Sequence, residues 1–188
     1  MKIGLFFGSF NPFHLGHKVI ASHLVEYTDL EKVVFIVSPQ NPLKNKLSLL
    51  DQHHRLMIIR SEIEDDSNLH ASDIEFNMPQ PSYTSDTLAY MDDKNPNNDY
   101  CLIMGSDNLT TLHKWKNYKH IIAKYHIYVY PRPGFEISLK HNNIHIIQNM
   151  PYMDISASFI REAIRQKKNI SYLIIDRNNI ERNFIIIL

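Results

Sequence analysis

The stretch FGSFNPFHLGH, residues 7–17, decides the fold at the N-terminal end of this chain. An apolar run at residues 3–7 predicts a strand, and the histidines after the Gly-Ser turn open an amphipathic helix. A helix N-terminus attracts anions, because its first backbone N–H groups have no partner within the helix and the macrodipole is positive there. His14 and His17 are three residues apart on one helix face, so both can reach the same phosphate chain. The stretch therefore indicates a bound nucleotide and chemistry at its phosphates.

Other interpretations of the two histidines fit less well. A zinc site needs three or four ligands at recognisable spacing, but the chain has one cysteine, Cys101, inside an apolar run. The stretch also lacks the GxxxxGK[ST] pattern of a P-loop and the GxGxxG dinucleotide fingerprint. Metal binding by these histidines is disfavoured, and phosphate binding is the better hypothesis.

Composition narrows the class of protein without naming a function. Lysine plus arginine equals aspartate plus glutamate, at 20 each, so no basic field exists for binding duplex nucleic acid. A single cysteine excludes an internal disulfide framework and suits a reducing compartment. No stretch approaches the 18 apolar residues of a membrane span, and the N-terminal apolar run is too short for a signal segment. We expect a soluble, cytoplasmic, globular protein.

Strand-like and helix-like segments alternate along the chain. The predicted strands are residues 2–7, 32–38, 99–104 and 125–130, with shorter candidates at 69–75 and 144–148. The predicted helices are residues 15–27, 50–64, 83–93, 107–123 and 157–168. This alternation predicts a doubly wound, Rossmann-like α/β fold with five or six parallel strands and with ligands at their carboxyl ends. We expect a single domain over residues 1–188, with a helical C-terminal portion from residue 155.

A second helix start, in DISASFIREAIRQ at residues 154–166, strengthens the phosphate hypothesis. Ser156 is a natural N-cap, which leaves the N–H groups after it available. Arg161 lies within two turns of this positive end, where a cation is unfavourable unless an anion is near. Glu162 is an alternative, purely structural partner for Arg161. An arginine beside a serine-capped helix start suits a triphosphate, because its planar fork holds phosphate oxygens in fixed geometry.

Two further loops follow predicted strands. SPQNPLKNK, residues 38–46, contains Lys44 and is either a solvated loop or part of a ligand site. In MGSDNLTTLHKWKNY, residues 104–118, Gly105 permits a close backbone approach.

The polar residues of the second loop have open roles. Ser106 or Asp107 could cap the next helix, and Asp107 could instead lie near a nucleotide ribose or a magnesium ion. Trp115 is either a core residue or a flat stacking face for a planar heteroaromatic ring.

No activated nucleophile is evident, since the chain contains neither a GxSxG elbow nor a cysteine–histidine pair in a suitable context. Nucleotidyl transfer needs no covalent intermediate, only in-line positioning and neutralisation of charge. Adenylyl transfer from ATP to a phosphate-bearing acceptor is therefore the natural hypothesis.

Five motifs, in order over residues 1 to about 168, carry a resemblance to a known family. GSFNPFHLGH resembles the G[ST]F[DN]PxHxGH signature of the adenylyltransferase branch of the nucleotidyltransferase superfamily, and ISASFIRE resembles its ISxTxIRE partner motif. The remaining three are similar to motifs of bacterial nicotinate-nucleotide adenylyltransferases: PSYTSDTL at 81–88, MGSDNLTTLHKW at 104–115 and YPRPGF at 130–135. The resemblance implies the reaction of ATP with nicotinate mononucleotide to give the deamido dinucleotide and pyrophosphate.

The resemblance also implies roles for individual residues. The catalytic residues would be His14, His17 and Arg161. The ATP-binding residues would be Gly8, Ser9, Phe10, Gly105, Ser106, Asp107, Ile155, Ser156 and Ser158. The acceptor would be bound by Lys44, by Tyr83 and Thr84 through backbone N–H groups, by Trp115 through stacking, and by Arg132. Mg²⁺ would be held through the substrate phosphates and water, with no protein metal site, and a homo-oligomer is possible.

The chain departs from the family pattern at three places. Leu43 stands where the family often has histidine, Asn11 where aspartate is common, and the tail lacks the proline expected after YLI. The alternatives are adenylyl transfer to nicotinamide mononucleotide or phosphopantetheine, or a regulatory module that binds ATP without turnover. The PSYT and RPGF segments argue against phosphopantetheine, and intact His14, His17 and Arg161 argue against the module.

Overall fold

The computed structural model of this chain describes residues 1–39, 49–151 and 153–174. Within these ranges six strands alternate with helices. The strands are β1 (Lys2–Gly8), β2 (Lys32–Val37), β3 (Leu69–Ser72), β4 (Asp99–Gly105), β5 (Ile127–Tyr130) and β6 (Ile144–Ile146). The helices are α1 (Leu15–Tyr27), α2 (Gln52–Glu62), α3 (Thr84–Lys94), α4 (Ser106–Thr111), α5 (Tyr118–Lys124) and α6 (Ala157–Arg165). Short 3₁₀ turns cover Ile74–Asn77 and Leu112–Lys114.

The strands form one parallel sheet in the order β3-β2-β1-β4-β5-β6. The chain moves outward in one direction from β1 to β3 and in the other direction from β4 to β6. The order therefore reverses between β1 and β4, and a doubly wound sheet opens a crevice for ligands beyond the carboxyl ends of such a pair. The predicted doubly wound parallel fold is confirmed.

Helices cover both faces of the sheet, which explains why its central strands are apolar almost throughout. Phe6 of β1 packs with Phe35 of β2 in the cluster on one face. Leu5 of β1 packs with Leu102 of β4 in the cluster on the other face. Alternate residues of β1 thus serve two cores, and the strand is fixed in register from both sides.

The predicted helix at residues 107–123 is wrong as a single element. α4 ends at Thr111, a 3₁₀ turn follows, and α5 begins only at Tyr118. Asn117 has φ of 54°, and this left-handed conformation cannot continue a right-handed helix. Trp115 lies in the break between the two helices rather than on a helix face.

Other predicted bounds shift by a few residues. The strand predicted at 69–75 ends at Ser72, whose hydroxyl accepts a hydrogen bond from the Ile74 N–H group (3.2 Å) and turns the chain. The helix predicted at 157–168 ends at Arg165, shortly before Lys167 adopts φ of 54°. The loop residue Lys44, the departure at Leu43 and the tail from residue 175 lie outside the described residues. The single domain over 1–188 stays a prediction.

None of the helices within the described ranges combines the length and the hydropathy needed to cross a bilayer.

His14 is a polar residue that the fold buries, with 3% of its surface exposed. It lies directly before α1, at the carboxyl end of the sheet. Burial, and to a smaller extent the nearby positive charge of Arg132, together lower the pKa of His14 to about 4. The imidazole is therefore neutral at pH 7.

We expect this histidine to make the fold less stable in acid. Below the ordinary histidine pKa of about 6.5 the unfolded chain binds a proton that folded His14 does not accept until about pH 4. As the pH falls through this window, the unfolding free energy of the wild type should therefore decrease more steeply than that of His14→Asn. The difference should reach about 1.4 kcal/mol per pH unit. Urea unfolding at pH 7, 6 and 5 measures this, and parallel pH curves for the two proteins would contradict it.

Candidate active site

A cleft of about 840 Å³ opens beyond the carboxyl ends of β1 and β4. Most of the residues predicted to bind substrates line it: Gly8, Ser9, Phe10, His14, His17, Tyr83, Thr84, Asp107, Trp115, Arg132, Ser156, Ser158 and Arg161. Ile155 lines a narrow, mostly apolar recess that adjoins the cleft at His14 and Arg132. Gly105 and Ser106 lie beneath the cleft wall and are buried. The structure thus brings together residues from positions 8 to 161 of the chain.

The turn after β1, residues 9–14, forms one wall and is held in a tight conformation. Phe10 has φ of 46°, which is uncommon for a residue with a side chain and costs on the order of 1–3 kcal/mol. Its ring packs over Gly8, where an added Cβ would lie 2.8 Å from the ring. Glycine at position 8 therefore lets the chain fold back on itself directly after the strand.

His14 and His17 form the start of α1. His14 is the N-cap residue, and its backbone N–H group donates a hydrogen bond to Nδ1 of His17 (3.2 Å). The two rings stack with centroids 3.7 Å apart, and Phe13 stacks on His17 at 5.3 Å. Because Nδ1 of His17 accepts, the neutral ring carries its proton on Nε2 and can donate from there.

The facing wall is the N-terminus of α6. Ser156 caps this helix by accepting a hydrogen bond from the Phe159 N–H group (3.1 Å), as the sequence predicts. Arg161 donates to the carbonyl oxygen of Asn11 (2.6 Å) and to the Ser158 hydroxyl (3.1 Å). The arginine therefore ties α6 to the turn after β1.

Glu162 is not the partner of this arginine among the contacts in the structure. It forms an ion pair with Arg165 (3.2 Å) and accepts a hydrogen bond from Gln166. The alternative in which Arg161 serves only a neighbouring carboxylate is not supported.

The start of α4 differs from the expected cap. Gly105 is the N-cap residue, and no side chain caps the helix, so the prediction that Ser106 or Asp107 does so is wrong. The Ser106 hydroxyl instead accepts a hydrogen bond from the Arg132 backbone N–H group (2.8 Å). Asp107 forms an ion pair with the Arg132 side chain, with Oδ1 3.4 Å from Nε. An added Cβ at Gly105 would collide with the Asp107 carboxylate.

The opposite end of the cleft is formed by the start of α3 and the break after α4. Tyr83 is the N-cap residue of α3 and Thr84 its first residue, so their N–H groups lie at a helix N-terminus. Lys116 lies over the Tyr83 ring at 4.9 Å and pairs with Asp86 (2.8 Å). Trp115 is half-buried, packs partly on the core and lines the cleft, and its stacking role stays a prediction.

Two buried charged residues near the cleft escape the sequence analysis. Glu75 accepts hydrogen bonds from the hydroxyls of Ser82 and Thr87 (both 2.8 Å), which flank the Tyr83–Thr84 turn. Arg55 of α2 is 1% exposed, and its side-chain hydrogen bonds among the described residues go to backbone carbonyls. A signal for Arg55 was available, since it lies four residues before Ile59 on the face that α2 buries.

Comparison with known proteins identifies a family model and close relatives that cover most of the chain. The family model described as cytidylyltransferase-like matches residues 5–163, which include every described residue predicted for the site. A protein of Flavobacterium psychrophilum named "Probable nicotinate-nucleotide adenylyltransferase" is 51% identical over 178 residues, covering 93% of this chain and 92% of the relative. A protein of the same name from Flavobacterium johnsoniae is 48% identical over 190 residues, with coverage of 95% and 98%.

A solved structure has the same fold at low sequence identity. The nicotinic acid mononucleotide adenylyltransferase of Plasmodium falciparum, complexed with NaAD, superposes with a TM-score of 0.82 and 19% identity. The match covers 98% of this chain and 94% of that one. Fold, family model and relatives agree, and the chain belongs to the cytidylyltransferase-like family, among the relatives named probable nicotinate-nucleotide adenylyltransferase.

Proposed function

We propose that this protein transfers the adenylyl group of ATP to nicotinate mononucleotide, forming nicotinate adenine dinucleotide and pyrophosphate in NAD biosynthesis. The names of its relatives at 51% and 48% identity support the reaction. The observation that carries it is the pair of facing helix N-termini, α1 with its two histidines and α6 with Arg161. They are tied together by the Arg161 hydrogen bond to the Asn11 carbonyl.

The triphosphate of ATP would lie between these two helix ends. On one side, His17 can donate from Nε2, and neutral His14 lies beside it. On the other, Ser156, Ser158 and Arg161 offer N–H, hydroxyl and guanidinium donors. Two positive helix ends and a fixed cation offset the charge of the phosphates, which makes this the natural position for them.

The nucleoside of ATP would extend from Gly8, Ser9 and Phe10 toward the recess lined by Ile155. That recess has a volume of about 30 Å³, so its apolar side chains on α1 and after β6 (Val19, Ile20, Met150, Met153) would border an edge of the adenine rather than enclose it. Asp107 and Arg132 line the cleft between the recess and the phosphates, where a ribose would lie. The contacts of Arg132 with Ser106 and Asp107 favour this ATP-side position over the acceptor-side role inferred from YPRPGF.

Nicotinate mononucleotide would occupy the end formed by α3 and Trp115. The N–H groups at Tyr83 and Thr84 suit a carboxylate, because they lie at a helix N-terminus. Trp115 offers a face on which a pyridine ring can stack. Lys44, the further residue predicted to contact the acceptor, stays a prediction.

The chemistry requires no covalent bond to the protein. An oxygen of the acceptor phosphate attacks the α-phosphorus of ATP, the bond from that phosphorus to the bridging oxygen breaks, and pyrophosphate leaves with the electron pair. The residues hold the two phosphates in line and donate to the oxygens on which charge increases, with Nε2 of His17 and the Arg161 guanidinium as the principal donors.

Mg²⁺ would neutralise part of the triphosphate charge and help to orient it. The described residues include no group of three or more carboxylate, histidine or cysteine side chains that could hold a metal. Phosphate oxygens and water would therefore supply most of its ligands. We also infer a cytoplasmic protein whose partners are these small molecules, and a homo-oligomer remains compatible with the sequence.

Pyrophosphate release with ATP and Mg²⁺ tests the proposal directly. Nicotinate mononucleotide, nicotinamide mononucleotide and phosphopantetheine should be supplied separately as acceptors. We expect a strong preference for nicotinate mononucleotide. Preference for either other acceptor would overturn the pyridine-carboxylate site, and ATP binding without turnover on all three would indicate a regulatory module.

Replacing His17 tests the donor to the phosphates. We expect His17→Ala to lower kcat by about 10² or more, the size typical of losing a donor to transition-state charge. His17→Asn is the sharper variant, because its amide oxygen can keep the hydrogen bond from His14 while the Nε2 donor is lost. His120→Ala, an exposed histidine on α5, is the control. An unchanged kcat in both His17 variants would remove this residue from the mechanism.

Replacing Trp115 tests the acceptor end. We expect Trp115→Ala to raise KM for nicotinate mononucleotide about tenfold or more, the size of a lost stacking contact, with a smaller effect on KM for ATP. Trp115→Phe should recover part of the loss because it keeps an aromatic face. Steady-state kinetics with each substrate varied in turn measures this, and a rise confined to ATP would refute the stacking role.

A further inference from the structure

We propose that Arg55 is a positioning residue for the phosphate end of the active site, an inference that rests on the proposed function. Its guanidinium donates to four backbone carbonyls: Leu50 (2.8 Å), Ser9 (2.5 Å), Ser38 (2.9 Å) and Pro39 (3.1 Å). These four hydrogen bonds use most of the five N–H donors that an arginine side chain carries. No motif of the sequence analysis includes this residue.

The four carbonyls lie in three segments, two of which follow the paired strands β1 and β2. Ser9 lies in the turn after β1, and Ser38 and Pro39 follow β2. Leu50 precedes α2, the helix that carries the arginine. Arg55 therefore joins the carboxyl ends of two neighbouring strands to one helix, directly beneath the cleft.

The hydrogen bond to Ser9 fixes the orientation of one peptide group. The Ser9–Phe10 peptide is not among the cis bonds of the described residues, so it is trans and planar. In such a unit the carbonyl and the N–H group point in opposite directions. Because the Ser9 carbonyl points to Arg55, the Phe10 N–H group points away from the arginine.

This orientation favours an anion in the cleft. A carbonyl dipole directed at a phosphate repels it, whereas an N–H group attracts it. Phe10 also has the strained φ of 46°, a conformation that persists only where surrounding contacts hold it. The Arg55 hydrogen bond to the Ser9 carbonyl supplies such a contact at the residue before Phe10, and the other three hold the guanidinium in place.

The charge of Arg55 points to the same role. Burial lowers its pKa to about 10, which leaves the side chain a cation at pH 7. The ion pairs of the described residues include no carboxylate bonded to Arg55. Burying a cation costs free energy that an apolar residue at this face of α2 would not, and the four carbonyl acceptors offset that cost.

The experiment compares Arg55→Met and Arg55→Lys with Arg60→Met, a control on the exposed face of the same helix. Steady-state kinetics gives KM for each substrate and kcat, and thermal unfolding gives the stability of each variant. We expect Arg55→Met to lower kcat/KM for ATP by about tenfold or more, with KM for nicotinate mononucleotide changed by less than about threefold. Arg55→Lys should recover part of the loss, and Arg60→Met should match wild type.

A purely structural role gives a different result. In that case Arg55→Met would have a lower unfolding temperature and would bind both substrates more weakly to the same extent, which overturns the proposal. A folded Arg55→Met with wild-type kinetics also overturns it. If Arg55→Met does not fold, Arg55→Lys decides: a loss selective for ATP supports the proposal, and an equal or absent loss overturns it.

A binding measurement separates this inference from the proposed function. Titration with a non-hydrolysable ATP analogue, without acceptor, reports on the phosphate end alone. Wild type that binds the analogue but releases no pyrophosphate would refute the proposed function, while weaker binding by the Arg55 variants would still support the inference. Equal affinities in wild type and the Arg55 variants would refute the inference even if the reaction is confirmed.

Discussion

The parallel pairing of β1 with β4 is the constraint on which the site depends. Pairing brings the carboxyl ends of these strands together, so that Gly8 and Gly105 lie at the same edge of the sheet. The chain leaves that edge in opposite directions, toward α1 and toward α4, and the crevice between them is the cleft. Both glycines are required by close approach, Gly8 under the Phe10 ring and Gly105 beside the Asp107 carboxylate.

The loops at this edge are held by buried polar side chains as well as by apolar packing. Strands that end abruptly leave carbonyl groups that water does not reach, and each of these needs a donor. Arg55 supplies donors to the ends of β1 and β2, and Arg161 supplies one to the turn at Asn11. At the start of α3, Glu75 instead supplies acceptors, and its carboxylate accepts hydrogen bonds from the hydroxyls of Ser82 and Thr87. The described walls of the cleft are therefore held by side-chain hydrogen bonds although they are built largely from loops.

Local patterns predicted the elements that a short stretch can specify. FGSFNPFHLGH specified a strand, a turn and a helix start, and Ser156 specified the cap of α6, because each depends on residues within a few positions. The helix predicted over 107–123 failed because its apolar period does not reveal that Asn117 turns the backbone into the left-handed region. The expected caps failed because the Ser106 hydroxyl accepts a hydrogen bond from Arg132 and Asp107 forms an ion pair with it, and Arg132 is distant in sequence.

The sequence by itself determined the alternation of strands and helices, the two helix starts suited to phosphate and the membership of a family with a known order of motifs. These follow from hydrophobic period, capping chemistry and short motifs, all of which are local properties. Only the tertiary structure decided the strand order, the neutral state of His14, the pairing of Asp107 with Arg132 and the hydrogen bonds of Arg55 to four backbone carbonyls. Each of these depends on burial or on contacts between residues far apart in the chain, and a local sequence pattern predicts neither burial nor such contacts.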